Sequence, residues 1–373
     1  MSQRVYLLDK DAALREVREA QQQARIAKLD NANLQGTNLR SVDLSGGDLN
    51  EVDLSDADLR EAYMCGAGLF KANLSGSDLS GANLSRAYMV GVNFVGAYLR
   101  GANMAGADLR ATDLGGVNLT RANLRGAYLI ETSLIGVDLS YADLSGVNLS
   151  GANLSRANLR GADLSYANLS KANLNQADLS GADLTQANLS RASMRTADLN
   201  QAILLRTNLS FSNLSQSSLQ AVILCEAILQ GANLYLTKLG QANISRAMLK
   251  QAHLSGAVLR GANLRKADLR GANLQGTDLE NADLSFSDLK GANLDAANLT
   301  SAFLYNSDFT RATLRQAILS AATLNSAILT DADMRDAITK VASSGVNHSS
   351  GLLTTRRGST IPLRTSGLSG FSF

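Results

Sequence analysis

Few residues in the sequence have types or spacings suited to acid–base, nucleophilic or metal chemistry. The 373 residues include two His, and neither His253 nor His348 has Cys, His or carboxylate neighbours at the spacing of a metal site. Cys65 and Cys225 fall at the same point of a repeating pattern, but they are too distant along the chain for a disulfide within one coiled chain. The sequence therefore predicts no catalytic, cofactor-binding or metal-binding residue, and we expect a protein that is not an enzyme.

The composition narrows the class of protein further. Hydrophobic residues make up 45% of the chain and aromatic residues only 5%, with no Trp and one Pro, so Leu and Ala carry most of the apolar content. Two Cys argue against a disulfide framework, and no apolar run approaches the roughly 20 residues of a membrane span. The N-terminus lacks the apolar region of a secretory signal. We expect a cytoplasmic protein without a membrane span.

A five-residue repeat dominates the sequence. A large apolar residue recurs at every fifth position from Leu34 to Met334, which makes 61 repeats without an insertion or deletion. The residue two positions earlier is small, the residue between is usually Asp or Asn, and the last two positions are polar or small. Leu29, with Ala27 before it, begins the register one repeat earlier. We call the large apolar residue the centre of each repeat.

Neither a continuous helix nor a continuous strand accommodates this period. Five residues advance a helix by about 500°, so successive centres would not form a stripe. On a strand the odd spacing would send successive centres to opposite faces. A chain that bends once per repeat keeps both the small residue and the centre inward, and four bends close one coil, so that each coil holds four repeats. The Gly, Asn, Asp and Ser residues near each bend agree with this geometry.

Segments such as Ala-Asn-Leu-Ser-Gly and Ala-Asp-Leu-Arg-Gly resemble the A(D/N)LXX signature of the pentapeptide-repeat family. The resemblance covers residues 29–338. It implies an all-β solenoid, a right-handed quadrilateral parallel β-helix of about 15 coils, and it implies no enzymatic activity. The family is abundant in cyanobacteria, so the resemblance also indicates a cyanobacterial type of protein.

The ends of the chain depart from the repeat. Residues 1–28 are predicted to hold a capping helix over positions 9–27, with Asp9 or Asp11 as N-cap and an apolar face of five residues: Ala13, Val17, Ala20, Ala24 and Ala27. Residues 29–338 form the β-helix. Residues 339–373 form a flexible tail rich in Ser and Gly that carries four basic and no acidic residues. The tail is interpreted as a disordered linker, a binding arm or a cap on the last coil.

At some outward positions an apolar or aromatic residue replaces the usual polar or small one. These positions are predicted to form partner-binding surfaces, because clustered exposed apolar residues often mark interfaces. The tyrosine set comprises Tyr88 with Val90 and Tyr128 with Ile130, at the same repeat positions two coils apart. Val95, Tyr98 and Ile135 are predicted on neighbouring faces, and Tyr63 and Phe70 are extensions. The 203–248 patch comprises Ile203, Leu205, Ile223, Ile228 and Met248. In the tail, the predicted binding residues are Arg356, Arg357, Arg364 and Phe371.

Two functions from different classes fit these features. The first is a non-enzymatic scaffold or linker that binds acidic protein subunits, specifically in a cyanobacterial antenna (the phycobilisome) at the cytoplasmic face of a photosynthetic membrane. The second is a DNA-mimicking, topoisomerase-protecting protein, a branch of the same family. The repeat body has a net charge of −3, with basic residues interspersed, whereas a DNA duplex carries one negative charge per ~1.7 Å. The sequence therefore favours the scaffold, without cofactor, small-molecule substrate or nucleic-acid partner.

Overall fold

The computed structural model describes residues 8–339 and, within the tail, two short segments, Leu352–Thr354 and Thr360–Pro362. The chain divides into two compact units, Met1–Asn208 and Leu209–Phe373. Both units are built from the same five-residue repeat. The predicted boundaries after residues 28 and 338 are not tested by this division and stay predictions.

Each repeat ends in a tight turn that redirects the chain. At one such turn the N–H of Ala167 donates to the C=O of Leu164 at 3.1 Å, and the third residue, Tyr166, has φ of 59°. A hydrogen bond across four residues with positive φ at the third is the signature of a type II turn. Glycine takes this conformation without strain, as at Gly161 with φ of 62°, and side chains such as Tyr166 adopt it at a steric cost.

Parallel backbone pairing joins each residue to the one four repeats later. In the first unit Asp163 forms a bridge with Asp183, and the N–H of Leu164 donates to the C=O of Asp183 at 2.7 Å. In the second unit Asp268 forms the same bridge with Asp288. Because four turns separate paired residues, each coil has four sides, and each outward side recurs once per coil.

The repeat centres and the small residues form a continuous inward core in each unit. Leu164 is fully buried and Ala162 is 1% exposed, and the same burial holds from Leu29 up to Leu319. Where Ser or Thr takes the small position, its hydroxyl donates to the C=O of a repeat centre. Ser77 Oγ donates to the preceding centre, Leu74, at 2.6 Å, whereas Thr207 Oγ1 donates to Leu184 on the previous coil at 2.7 Å. These donations matter, because an unpaired hydroxyl in an apolar core costs stability.

One helix, α1 (Lys10–Gln22), precedes the first coil. Asp9 is its N-cap, with the side chain accepting from the N–H of Ala12 at 2.8 Å, and Ala13, Val17 and Ala20 are buried, as predicted. The predicted extension of the helix to Ala27 is wrong. The chain turns at Ala24, which has φ of 49° and is exposed, and Ala27 is instead the inward small residue of the first repeat.

A carboxylate attaches the segment after α1 to the helix. Glu16 accepts two hydrogen bonds from the guanidinium of Arg25, at 2.6 and 2.8 Å, and a third from the N–H of Lys28 at 2.9 Å. The side-chain hydrogen bond with Arg25 is the main cause that lowers the pKa of Glu16 to about 2, against a burial effect that raises it. This ion pair orders the chain between α1 and the first coil.

Glu16 is therefore expected to make α1 acid-sensitive. Its folded-state pKa is below the unfolded value, so its stabilisation is present above about pH 4.5 and is lost as the pH falls towards 2. Glu16→Gln should give, at pH 6, the lower amide-exchange protection of α1 that the wild type acquires only as the pH falls to about 2. Glu19→Gln is the control, because the Glu19 carboxylate lies 3.7 Å from Arg25 and, unlike that of Glu16, is not hydrogen-bonded to a backbone N–H in the described structure. Equal protection in wild type and Glu16→Gln at pH 6 would refute this role.

The end of the second unit differs from its interior. The centres of the last described coil, Leu324, Leu329 and Met334, are only half-buried. In the tail, β1 (Leu352–Thr354) and β2 (Thr360–Pro362) pair antiparallel, with Leu353 opposite Ile361. The sequence analysis predicted no strands there.

Candidate protein-binding surface

The recurring Asp and Asn residues have a structural role at the turns. The Asp163 side chain accepts from the N–H of Ser165 at 2.9 Å, two residues along the chain, and this contact recurs at most repeats. Asn side chains also pair along a face: Asn173 Nδ2 donates to Asn153 Oδ1 at 3.1 Å. These hydrogen bonds stabilise the turns, as Asx motifs do. These side chains therefore have a role in the fold itself.

Cysteine and histidine form no cluster in the part of the chain that the structure describes. Cys65 and Cys225 are free thiols and half-buried, and each accepts a contact from the Ser on the next coil, Ser85 and Ser245 respectively. His253 lies on an outward side of its coil and is exposed. Within these same residues no group of His, Cys, Asp and Glu is placed to hold a metal ion.

One side of the first unit carries a row of aromatic and charged groups, which we call the tyrosine ladder: Phe70, Tyr88, Asp108, Arg110 and Tyr128. Parallel bridges join Tyr88 to Asp108 and Asp108 to Tyr128, so the two tyrosines lie on one side, two coils apart. Their exposed fractions are 46% and 53%. The rings of Phe70 and Tyr88 stack, with centroids 6.4 Å apart and an interplanar angle of 26°. The predicted residues Val90 and Ile130 are half-buried at the adjoining turns.

Arg110 is held in a fixed position between the two tyrosines. Its Nε donates to Asp108 Oδ1 at 2.8 Å and its Nη2 to Asp108 Oδ2 at 2.6 Å, which is a bidentate pair. This side-chain hydrogen bond from Arg110 is the main cause that lowers the pKa of Asp108. The ladder therefore presents an oriented guanidinium flanked by two phenol rings, which is a chemistry that protein interfaces favour.

The other members of the tyrosine set lie elsewhere on the first unit. Two repeats, and hence two turns, separate Tyr88 from Tyr98, so the two lie on opposite sides of the four-sided coil. Tyr98 pairs with Asp78 and Asn118 and is 58% exposed. Val95 and Ile135, at the turns before that side, are also exposed. The structure thus brings Tyr88 and Tyr128 together and does not place Tyr98 with them.

The residues of the 203–248 patch are divided between the two units. Ile203 and Leu205 belong to the first unit and are half-buried. In the second unit Ile228 and Met248 are bridge partners on one side of the coil, and Met248 is 47% exposed. Ile223 pairs instead with Asn243 on a different side. Within this patch, Ile228 and Met248 are thus paired on adjacent coils of one unit.

An exposed aromatic cluster in the second unit was not identified from the sequence. We call it the aromatic corner, and it comprises Phe286, Phe303 and Tyr305, at 41%, 51% and 45% exposure. The three residues occupy three different positions of the repeat. A comparison of residues 20 apart, which lie on the same side of successive coils, therefore did not connect them. The available signal was three aromatic residues close together in the sequence, at places that are otherwise polar.

The predicted binding residues of the tail, Arg356, Arg357, Arg364 and Phe371, lie outside the described residues. Their role stays a prediction.

The family comparison identifies the class of protein. The model of the family "Pentapeptide repeats", which spans eight copies, matches twelve segments, most of which overlap. These segments are residues 27–56, 48–86, 67–106, 77–116, 102–140, 112–151, 142–181, 162–201, 177–210, 202–241, 237–276 and 277–316. The chain belongs to the pentapeptide repeat family, whose members fold as right-handed quadrilateral β-helices. The predicted fold class is thereby confirmed in its kind.

Solved structures of the same family are similar to parts of the chain. HetL, involved in heterocyst differentiation regulation in the cyanobacterium Nostoc sp. strain PCC 7120, is 36% identical over 55% of this chain and 90% of its own, with a TM-score of 0.38. A pentapeptide repeat protein of the Arabidopsis thaliana thylakoid lumen is 34% identical over 27% and 66%, with a TM-score of 0.22. Rfr23 of the cyanobacterium Cyanothece 51142 is 26% identical over 32% and 86%, with a TM-score of 0.25.

Two further comparisons are negative. No curated protein matches the chain. Among the residues that the structure describes, no helix has the length and apolar character needed to cross a membrane.

Proposed function

We propose that the protein is a non-enzymatic scaffold or linker that assembles other proteins along the outward sides of its β-helix. The observation that carries this proposal is the tyrosine ladder, because it exposes two phenol rings around a fixed guanidinium on one side of the first unit. Tyr and Arg are enriched among the residues that dominate binding energy at interfaces. The Ile228–Met248 pair of the second unit, in which Met248 is exposed and Ile228 half-buried, supplies a further apolar contact.

The partners of this scaffold are acidic subunits of a larger assembly, and a phycobilisome is the specific assembly we propose. The tail supports an acidic partner, because it carries four basic residues and no acid, and the whole chain has a pI near 8.5. On this proposal the protein is cytoplasmic and lies at the cytoplasmic face of a photosynthetic membrane. No cofactor and no small-molecule substrate take part.

The segments of the chain have separate roles in this proposal. Residues 1–28 cap the first coil through α1, whose buried face is Ala13, Val17 and Ala20. Residues 29–338 supply about 15 coils as the rigid body, and residues 339–373 supply the binding arm.

The DNA-mimicking alternative has less support from the charges. In the second unit Arg270 contacts Asp268 at 2.6 Å and Asp288 at 3.8 Å, and Lys290 contacts Asp288 at 3.5 Å and Asp308 at 3.1 Å. Acidic and basic groups thus alternate along this side. A duplex mimic needs an unbroken negative row, because each ~1.7 Å of DNA carries a negative charge.

Removal of residues 341–373 tests the binding arm. We expect the truncated protein to bind purified phycobiliprotein subunits at least tenfold more weakly, with a melting temperature close to that of the full chain. Wild-type binding should weaken as salt rises, because exposed charges are screened. The control is full-length protein with Arg356, Arg357 and Arg364 changed to Glu, which should lose binding without losing any residue. Sedimentation measures the binding, and a supercoiling assay with DNA gyrase tests the alternative.

Unchanged association after truncation, together with a large loss of thermal stability, would mean that the tail is a cap. Inhibition of gyrase by the wild type, without binding to acidic subunits, would overturn the scaffold proposal.

A further inference from the structure

The aromatic corner of the second unit is built from two turns of neighbouring coils and the side that leads into one of them. The rings of Phe286 and Tyr305 meet edge to face, with centroids 5.3 Å apart and an interplanar angle of 79°. Phe303 lies two residues before Tyr305, on the side that leads into the same turn. All three rings are between 41% and 51% exposed. This exposure is costly for aromatic surface, which is normally buried in a core or an interface.

Two cations lie beside one of these rings, that of Phe286. The guanidinium of Arg265 lies 5.4 Å from the ring centroid of Phe286, and the ammonium of Lys266 lies 5.9 Å from it. Arg265 also contacts Asp283, with Nη1 3.1 Å from Oδ2. Lys266 makes no ion pair with any residue in the described part of the chain. At the corner, Arg265 is therefore paired with Asp283, whereas the charge of Lys266 can pair with a carboxylate of a partner.

We propose that the aromatic corner docks an extended segment of a partner protein in which a carboxylate side chain is adjacent to an aromatic or aliphatic one. The apolar side chain packs against Phe286, Phe303 and Tyr305, and the carboxylate pairs with Lys266. Both contacts have complementary chemistry, because aromatic residues form the centres of interfaces and opposite charges set the register. This inference rests on the proposed scaffold function and names a second docking point for it.

Single-stranded nucleic acid is the other macromolecule that stacks on exposed aromatic rings beside cations. Such binding also needs a continuous positive groove that follows the phosphates. Here Asp283 lies within the cluster, and Asp268 and Asp288 occupy the next side of the coil. A short acidic peptide can place one carboxylate at Lys266 and direct the rest of its chain to solvent, whereas a strand of phosphates would meet these acids. The charges thus favour the peptide.

The test uses nonapeptides of Gly and Ser with a central Asp-Trp-Asp, Asn-Trp-Asn or Lys-Trp-Lys. The protein has no Trp, so the peptide alone reports binding through its fluorescence. The main variant is Phe286→Gly, Phe303→Asn and Tyr305→Ser. Each replacement is the common residue at its repeat position, and Gly suits φ of 63° at position 286, so the coil should stay folded. The matched control is Tyr141→Gly with Tyr166→Gly in the first unit, where φ is 58° and 59°.

We expect the Asp-Trp-Asp peptide to bind the wild type and the control equally, and the triple variant at least tenfold more weakly. Lys266→Glu should weaken binding about fivefold, whereas Lys171→Glu, at the same repeat position in the first unit, should not. The Lys-Trp-Lys peptide should not bind. No binding by the wild type, equal binding by the triple variant, or tighter binding of an oligo-deoxythymidine than of the acidic peptide would overturn this inference.

The experiment also separates the inference from the proposed function. The triple variant and a Tyr88→Asn, Tyr128→Asn variant are compared for binding to the same phycobiliprotein subunits. Loss of binding in the tyrosine variant alone would leave the scaffold in place and remove the aromatic corner from it.

Discussion

Leu164→Asp is expected to unfold the first unit around its coil. Leu164 is fully buried at a repeat centre, and the equivalent centres Leu144 and Leu184 on the adjoining coils are fully buried as well. The carboxylate would lie in an apolar interior without an ion pair, which costs more than the loss of the Leu packing alone. We expect a loss of at least about 4 kcal/mol in the free energy of unfolding, beyond the usual range for single substitutions.

The control places the same charge on the outside of the coil. Gln186 is exposed at a turn with φ of 57°, a conformation that Asp56 and Asp336 already adopt in this chain. Gln186→Asp should therefore melt within a few degrees of the wild type in a circular dichroism experiment. Identical melting of Leu164→Asp and the wild type would show that the repeat centres do not point inward.

A single Ser inserted after Gly116 should also be strongly destabilising. Pairing joins each residue to the one four repeats later, so one additional residue breaks the bridges Asn103–Asn123 and Asp108–Tyr128 or forces a bulge at the turn. An insertion of one full repeat, Ala-Asn-Leu-Ser-Gly, at the same point keeps the period. It should leave the inward pattern intact, because every centre downstream stays a centre.

The melting temperatures of the two insertion variants show whether stability depends on the five-residue period or on the length of the chain. We expect the single-Ser insertion to melt about 10 °C or more below the full-repeat insertion, since it removes several backbone pairs and misplaces part of the core. The full-repeat insertion should in addition move Tyr128 to the next side of the coil, away from Tyr88. If the shorter insertion were the more stable of the two, the four-sided coil would be the wrong description.

The coiled architecture was predictable because a five-residue period fits neither a continuous helix nor a continuous strand. Leu29 and Ala27 were correctly placed in the first repeat, and both are buried. The end of α1 was not predictable in the same way. Ala24 and Ala27 continue the apolar helix face, but the turn at Ala24 and the pairing of Ala27 with the next coil take precedence over this pattern.

The binding surfaces were predictable only in part, because some side chains contact side chains at a different position of the repeat on the next coil. Tyr88 and Tyr128 share one column, so the sequence places them together. The ring contacts of Phe70 with Tyr88 and of Phe286 with Tyr305 each join two different positions of the repeat. Such contacts depend on how the turns direct side chains, which a comparison of equivalent positions from coil to coil does not detect.

The binding affinity of the tyrosine ladder for its partner tests the scaffold most directly. The variant Tyr88→Asn, Tyr128→Asn restores a common residue at both positions, and Tyr141→Gly, Tyr166→Gly removes two exposed tyrosines elsewhere on the same unit. Sedimentation with purified phycobiliprotein subunits gives both dissociation constants. We expect the first variant to bind at least tenfold more weakly than the wild type and the second to bind as the wild type does, at equal melting temperatures. Equal affinities for the two variants would contradict assembly through the ladder.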